Sequence, residues 1–118
     1  MSKHKETGSK GEQLGVKFLK ERGYDILHVN WCLGKKEIDI IALQKDVLVF
    51  VEVKTRRDFT FGFPEEAVTK HKERYLKAAA EGFLDLYPGY QKIQFDIISI
   101  VLDGDEVKEI MHFEDAFF

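Results

Sequence analysis

Two adjacent stretches near the middle of the chain alternate apolar and polar residues in the manner of β-strands. The first runs from Glu37 to Gln44 and the second from Val47 to Lys54, and both are rich in β-branched residues. Only Lys45 and Asp46 separate them, so the pattern predicts a tight β-hairpin. These two residues lack the Asn-Gly or Asp-Gly signature of common hairpin turns, which leaves the turn type open.

Two other stretches show helical spacing. Between Gly11 and Arg22 the apolar residues fall on one side of a helix, and Gly23 follows where a C-capping glycine is expected. A longer helix is predicted from an N-cap at Thr69 to about Leu86, and Pro64-Glu65-Glu66 has the composition of a helical first turn.

Three further β-type stretches complete the pattern: Tyr24–Trp31, Ile93–Leu102 and Val107–Phe113. The order is helix, three strands, helix, two strands, which predicts an α/β fold with a mixed sheet of about five strands flanked by helices. Residues 1–118 are expected to form one domain, in which the polar residues 1–8 are flexible and the tail Glu114–Phe118 packs on the core.

Composition and charge narrow the classes of function. No apolar run reaches the roughly 18 residues of a membrane-spanning helix, and no secretory signal follows the polar start. The single cysteine, Cys32, forms no internal disulfide, so a cytoplasmic location is expected. The net charge of −3 argues mildly against nucleic acid, but it is unevenly spread: residues 1–77 hold 16 Lys and Arg against 12 Asp and Glu, and residues 78–118 hold 2 against 9. A local basic surface remains compatible with phosphate binding.

The predicted hairpin brings charged residues together. If Lys45 and Asp46 form a two-residue turn, Asp39 stands directly opposite Glu52 on one face of the sheet. Lys54 lies on that face too, opposite Glu37. A longer turn with a bulge would shift this register.

Two carboxylates facing each other across a sheet repel, and a divalent cation would compensate for the repulsion. Mg²⁺ prefers oxygen ligands and often takes only one or two protein carboxylates, while a nearby ammonium such as that of Lys54 stabilises phosphate charge. Two simpler interpretations stay open. Glu-x-Lys is common on solvated strands, and Glu37 and Lys54 could form a cross-strand pair while Asp39 caps a local group.

The chain resembles the YraN-like family of small bacterial proteins, which are similar to archaeal Holliday-junction resolvases and belong to the PD-(D/E)xK nuclease superfamily. The resemblance covers nearly the whole chain and is carried by these blocks: Gly11-Glu12, Gly23-Tyr24, Asn30, Glu37 to Ala42, Phe50 to Arg56, Phe61-Gly62, Ala67-Val68-Thr69 with Lys72, and Phe95-Asp96.

The resemblance implies a restriction-endonuclease-like fold and Mg²⁺-dependent phosphodiester cleavage, with Mn²⁺ as a substitute. It implies that Asp39 and Glu52 bind the metal, that Lys54 is catalytic, and that Glu12 approaches the metal from the first helix. The chain departs from the family pattern at Lys36, where glycine is usual, and at Gln94, where arginine is common. A neutral Gln94 would weaken DNA binding or remove a partner of Asp96.

Basic residues near the predicted site are candidates for nucleic-acid binding. Arg56 and Arg57 follow the second strand of the hairpin, and Lys72 and Arg74 lie on the long helix. A solvated basic surface is the alternative for all four. The aromatic residues Phe59, Phe61 and Phe63 could stack on bases or a partner, although covering the core is the better explanation. No zinc site, P-loop or dinucleotide motif is present, and His112 has no companions in the sequence that suggest a catalytic triad.

We therefore expect a metal-dependent DNA endonuclease, acting by analogy on branched or structured DNA. The alternative is a catalytically inactive DNA-binding or scaffold protein that retains the fold, and a third hypothesis is a purely structural interaction module. Resolvases of this type act as two-fold dimers, so a homodimer is expected by analogy, and nothing in the sequence identifies its interface.

Overall fold

The computed structural model describes residues 3–57 and 70–117, with side chains from Lys10 onward. Within these ranges lie two helices and five strands: α1 (Lys3–Glu21), β1 (Asp25–Leu33), β2 (Lys36–Gln44), β3 (Val47–Arg56), α2 (Lys70–Leu86), β4 (Lys92–Asp103) and β5 (Glu106–Phe113). The expectations for Pro64-Glu65-Glu66, for the N-cap at Thr69 and for the aromatic residues Phe59, Phe61 and Phe63 fall outside the described residues.

The strands form one mixed sheet in the order β1-β2-β3-β4-β5. Only β3 and β4 run parallel, because α2 connects them as a crossover, whereas the other neighbours are antiparallel. One apolar cluster packs against α1 through Leu19, and a second packs against α2 around Phe83. A helix therefore covers each face of the sheet, and the predicted restriction-endonuclease-like α/β fold is confirmed.

Some boundaries differ from the prediction. Helix α1 begins at Lys3 rather than at the predicted Gly11. Lys3 to Lys10 contain no large apolar residue, so no apolar stripe in the sequence reveals this part of the helix. The predicted Cys32–Lys36 loop shrinks to the turn between Leu33 and Lys36, and β3 continues to Arg56.

The predicted cap of α1 is confirmed. Gly23 has a φ of 86°, and Tyr24 donates its backbone N–H to the carbonyl of Leu19 at 3.0 Å, as in a Schellman motif. The expectation for the C-terminal tail is confirmed for Phe117, whose ring lies 5.5 Å from that of Phe95.

Candidate metal centre at a fork between two strands

The hairpin register is confirmed for five residue pairs, from Gln44–Val47 to Ile40–Val51. Lys45 and Asp46 form the turn, and Lys45 has a left-handed φ of 56°. The ladder then stops, so the next two residues, Asp39 and Glu52, are not a ladder pair.

The carboxylate of Asp39 occupies the opening between the strands. Its Oδ2 accepts a hydrogen bond of 2.8 Å from the backbone N–H of Val53. In an uninterrupted register that N–H would face Ile38, so a side-chain oxygen replaces a backbone acceptor. The two strands separate here and form a fork.

Strict alternation of side chains also breaks at the fork. Ile38 and Ile41 both pack in the cluster against α2, whereas Ile40 packs in the cluster against α1. Asp39 then groups with Glu12 of α1. The prediction that Asp39 and Glu52 oppose each other on one face is therefore wrong, since the acids approach across the fork instead.

Three carboxylates converge at the fork. Glu12, Glu37 and Asp39 each offer an oxygen, and these atoms lie within 4.8 Å of one another. Oxygen donors at this spacing suit a hard divalent cation. The sequence had suggested Glu37 only as a partner of Lys54. The missed signal was the Glu-x-Asp spacing, which places two acids on the same side of a strand.

The electrostatics of Asp39 reflect this crowding. Burial is the largest cause that raises its pKa, from 3.8 to about 7, and repulsion by Glu52 is the next. The hydrogen bond from Val53 acts in the opposite direction, and Glu12 and Glu37 add further repulsion. Burial and nearby negative charge thus make the ionised form of Asp39 costly.

Glu52 is neutralised by two lysines. Its Oε1 lies 3.3 Å from Nζ of Lys54 and 3.6 Å from Nζ of Lys72, and only 6% of its side chain is exposed. Lys54 thus pairs with Glu52 rather than in the suggested cross-strand pair with Glu37. Lys72 also lies over the ring of Tyr75, 4.8 Å from its centroid.

Helix α1 reaches the fork because two glycines let it approach the sheet closely. A Cβ atom added to Gly11 would collide with the side chain of Thr55 on β3. A Cβ added to Gly15 would lie 3.3 Å from side-chain atoms of Ile40 and Val53, so these side chains would have to shift by a few tenths of an ångström. The absence of both Cβ atoms brings Glu12, the neighbour of Gly11, to the acid cluster.

The predicted DNA-binding residues take different positions. Lys72 lies at the site, as described, and Arg56 is half-buried at the end of β3, with Arg57 exposed after it. Arg74 is exposed on α2, and the structure does not place it with the acid cluster.

A second buried cluster was missed from the sequence. Asp96 accepts hydrogen bonds from Nε2 of Gln94 at 2.8 Å and from the N–H of Asp115 at 2.9 Å, and it lies 2.7 Å from Nε2 of His112. The expectation that Gln94 removes a partner of Asp96 is therefore wrong, and the contact between His112 and Asp96 is one that the sequence did not indicate. Strand pairing brings these residues together, and no spacing in the sequence reveals it.

None of the helices in the described ranges is long and apolar enough to cross a membrane.

The family model described as "Uncharacterised protein family UPF0102" matches residues 11–100. A UPF0102 protein from Flavobacterium psychrophilum is 43% identical over 118 residues, covering all of this chain and 98% of the relative. A UPF0102 protein from Phocaeicola vulgatus is 40% identical, covering 100% of this chain and 97% of the relative. A UPF0102 protein from Caldicellulosiruptor saccharolyticus is 42% identical, covering 96% of this chain and 98% of the relative. The chain belongs to UPF0102, the YraN family.

Proposed function

We propose that this protein is a metal-dependent endonuclease that hydrolyses DNA phosphodiester bonds, with branched or otherwise structured DNA as its substrate. One observation carries the proposal: the carboxylates of Glu12, Glu37 and Asp39 converge at the fork beside the Glu52–Lys54 ion pair. Acidic oxygens next to a lysine suit an anionic phosphodiester with a hard cation.

The donor set fits Mg²⁺, or Mn²⁺ in its place, because every candidate ligand is a carboxylate oxygen. Asp39 and Glu12 would hold the ion together with Glu37, whose oxygen lies within 4.8 Å of theirs. Glu52, whose charge acts on Asp39, would join them from across the fork. When bound, the ion would activate water and neutralise phosphate charge.

The residues of the chain have separate roles in this proposal. Asp39 must lose its proton to serve as a ligand, which its raised pKa places near neutral pH. Lys54, fixed by Glu52, presents an ammonium that stabilises the extra negative charge on the phosphate as the bond breaks. Arg56, Arg57, Lys72 and Arg74 would contact neighbouring phosphates.

A second candidate is a catalytically inactive DNA-binding or scaffold protein that keeps the same fold. One feature favours it: the carboxylate of Glu52 is paired with both Lys54 and Lys72, so two side chains balance its charge. Both candidates bind DNA in the bacterial cytoplasm, and a homodimer is part of the first because a four-way junction requires paired cuts.

Cleavage assays distinguish these candidates. Linear, nicked, flapped and four-way DNA would be incubated with Mg²⁺ or Mn²⁺ and with wild-type protein, Glu52→Gln or Lys54→Ala. Each substitution should lower the rate by at least about a hundredfold, since Glu52→Gln removes a metal ligand that also fixes Lys54, and Lys54→Ala removes the ammonium that stabilises the phosphate charge.

Lys108→Ala is the matched control, because Lys108 pairs with Asp103 on the far edge of the sheet. It should cleave like wild type. Activity retained by both site variants would contradict the mechanism. DNA binding without cleavage by the wild type would favour the inactive candidate.

A further inference from the structure

A cleft of about 360 Å³ opens between helix α1 and strand β1. Its lining comes from five residues: Glu12, Gln13 and Val16 of α1, and Val29 and Asn30 of β1. Glu12 belongs to the acid cluster as well, so the cleft and the candidate metal centre share a wall. This volume is within the range of small-ligand pockets, about 300–1,000 Å³.

The backbone of Asn30 explains why the cleft opens at this level of the sheet. Asn30 has a left-handed φ of 55° in the middle of a strand. The pairs on either side are Val29–Ile40 and Trp31–Ile38, which leaves Asn30 facing Asp39. Strained conformations of this kind are concentrated at functional sites.

The kink turns two consecutive side chains toward α1. Val29 and Asn30 both line the cleft, whereas a regular strand would send them to opposite faces. Val29 is consequently 45% exposed, an apolar side chain that nothing in the described chain covers fully.

The lining has the chemistry that recognises a nucleobase. Val16 and Val29 supply apolar walls for the faces of a flat ring. Gln13 and Asn30 supply amides, each of which can donate and accept hydrogen bonds at the edge of that ring.

We propose that this cleft binds one unpaired nucleobase of the DNA strand whose phosphate lies at the acid cluster. The inference rests on the proposed function and narrows its substrate. A base inside a continuous duplex cannot enter the cleft without leaving its stack, whereas an unpaired base enters at little cost. The enzyme should therefore prefer a strand with an unpaired nucleotide beside the scissile bond.

The first experiment compares cleavage of a perfect duplex with cleavage of the same duplex carrying one bulged nucleotide. Wild type should cut the bulged DNA faster by about tenfold, which corresponds to the stacking and hydrogen bonding of one base. An abasic bulge should lose that advantage. Equal rates on bulged and perfect duplexes would overturn the proposal.

Two variants test the amides directly. Asn30→Gly keeps the left-handed backbone, which glycine adopts freely, and removes the amide, while Gln13→Ala removes the other. Each should lower the ratio of bulged to duplex cleavage. Glu21→Gln, an exposed change in the last turn of α1, should keep the wild-type ratio. Unchanged ratios in both amide variants would contradict the proposal.

The second experiment does not depend on cleavage. Deoxyadenosine, which lacks a phosphate, is titrated into metal-free protein while NMR follows the side-chain NH₂ signals of Gln13 and Asn30, assigned from the two variants. Both signals should shift. If the wild type cuts no DNA, the proposed function fails, while this titration still tests the cleft.

If the side-chain NH₂ signals of Gln13 and Asn30 do not shift when deoxyadenosine is added, the cleft proposal is overturned, even if cleavage is observed. Shifts that follow protein concentration without nucleoside would assign the cleft to a second copy of the chain, which also overturns it.

Discussion

At the scale of single residues, Asp39 combines a structural role with the proposed chemical one. Burial and Glu52 raise its pKa to about 7, and its Oδ2 also holds the N–H of Val53. A cation at the fork competes with the proton for this carboxylate.

Metal affinity should therefore depend on pH near neutrality. Calorimetric titration with Mn²⁺ should show roughly tenfold weaker binding at pH 6 than at pH 8, because one pH unit below the pKa leaves about a tenth of Asp39 ionised. Proton release measured in two buffers of different ionisation enthalpy should accompany binding at pH 6. Affinity that is independent of pH would contradict a role for Asp39.

Asp39→Asn should stabilise the metal-free protein at high pH. Below about pH 4 Asp39 is protonated both folded and unfolded, whereas above about pH 7 the folded state must hold a costly charge. Wild-type stability without metal should thus fall as pH rises between these values.

Urea unfolding at pH 8 should give the variant an advantage of about 2 kcal/mol, which disappears at pH 4. The same variant should lose Mn²⁺ binding. A variant less stable than wild type at pH 8 would show that the charge of Asp39 is not strained in the folded state.

The residues of the site were only partly readable from the sequence. An aspartate in an isoleucine-rich strand and a Glu-x-Lys in its partner indicated Asp39, Glu52 and Lys54, because strands disfavour buried acids without a reason. The role of Glu37 and the double ion pair of Glu52 depend on where α1 and α2 pack. Such packing leaves no pattern along the chain.

At the scale of elements, the approach of α1 to β3 determines whether Glu12 can reach the fork. Gly11 lies against Thr55 with no room for a methyl group, whereas Gly15 has slightly more space. The two glycines, one helical turn apart, therefore provide a matched pair of substitutions.

Gly11→Ala should lower the free energy of unfolding by about 2 kcal/mol, because the overlap with Thr55 exceeds the gain in helix propensity of about 1 kcal/mol. Gly15→Ala should change stability by less than about 1 kcal/mol, since the two effects nearly cancel. Urea denaturation measures both. Equal effects would show that α1 does not depend on close packing at Gly11.

The elements themselves were predicted well because alternation and helical spacing record burial directly. The end of the hairpin ladder was not predicted, although the two consecutive isoleucines Ile40 and Ile41 break the alternation of β2 at that position. Two consecutive isoleucines also fit a strand buried on both faces, so the pattern alone could not separate these cases.

At the scale of the whole molecule, the segment after β5 is attached to β4, where Asp96 lies beside Val51 of β3. The carboxylate of Asp96 is fully buried, accepts hydrogen bonds from Gln94 and from the backbone N–H of Asp115, and pairs with His112. The backbone N–H of Ala116 donates a hydrogen bond of 2.7 Å to the carbonyl of Phe95. This cluster stabilises the edge of the sheet and contributes no ligand to the fork.

Asp96→Asn should cost about 3 kcal/mol of stability, because the buried partners lose a charged acceptor. Mn²⁺ affinity of the folded variant should remain that of wild type. Asp103→Asn, which removes only an exposed ion pair with Lys108, should cost less than about 1 kcal/mol. Loss of Mn²⁺ binding in folded Asp96→Asn would show that the two clusters are coupled.

The hydrogen bond between Val53 and Asp39 gives the fork a built-in reporter. When a cation draws on the carboxylate, the N–H of Val53 shares its acceptor with the ion, so the exchange of this one amide with deuterated solvent should change on loading while neighbouring amides stay constant. The exchange rate of the Val53 amide therefore reports whether the site holds a cation, and it can be measured without DNA, turnover or any label on the protein.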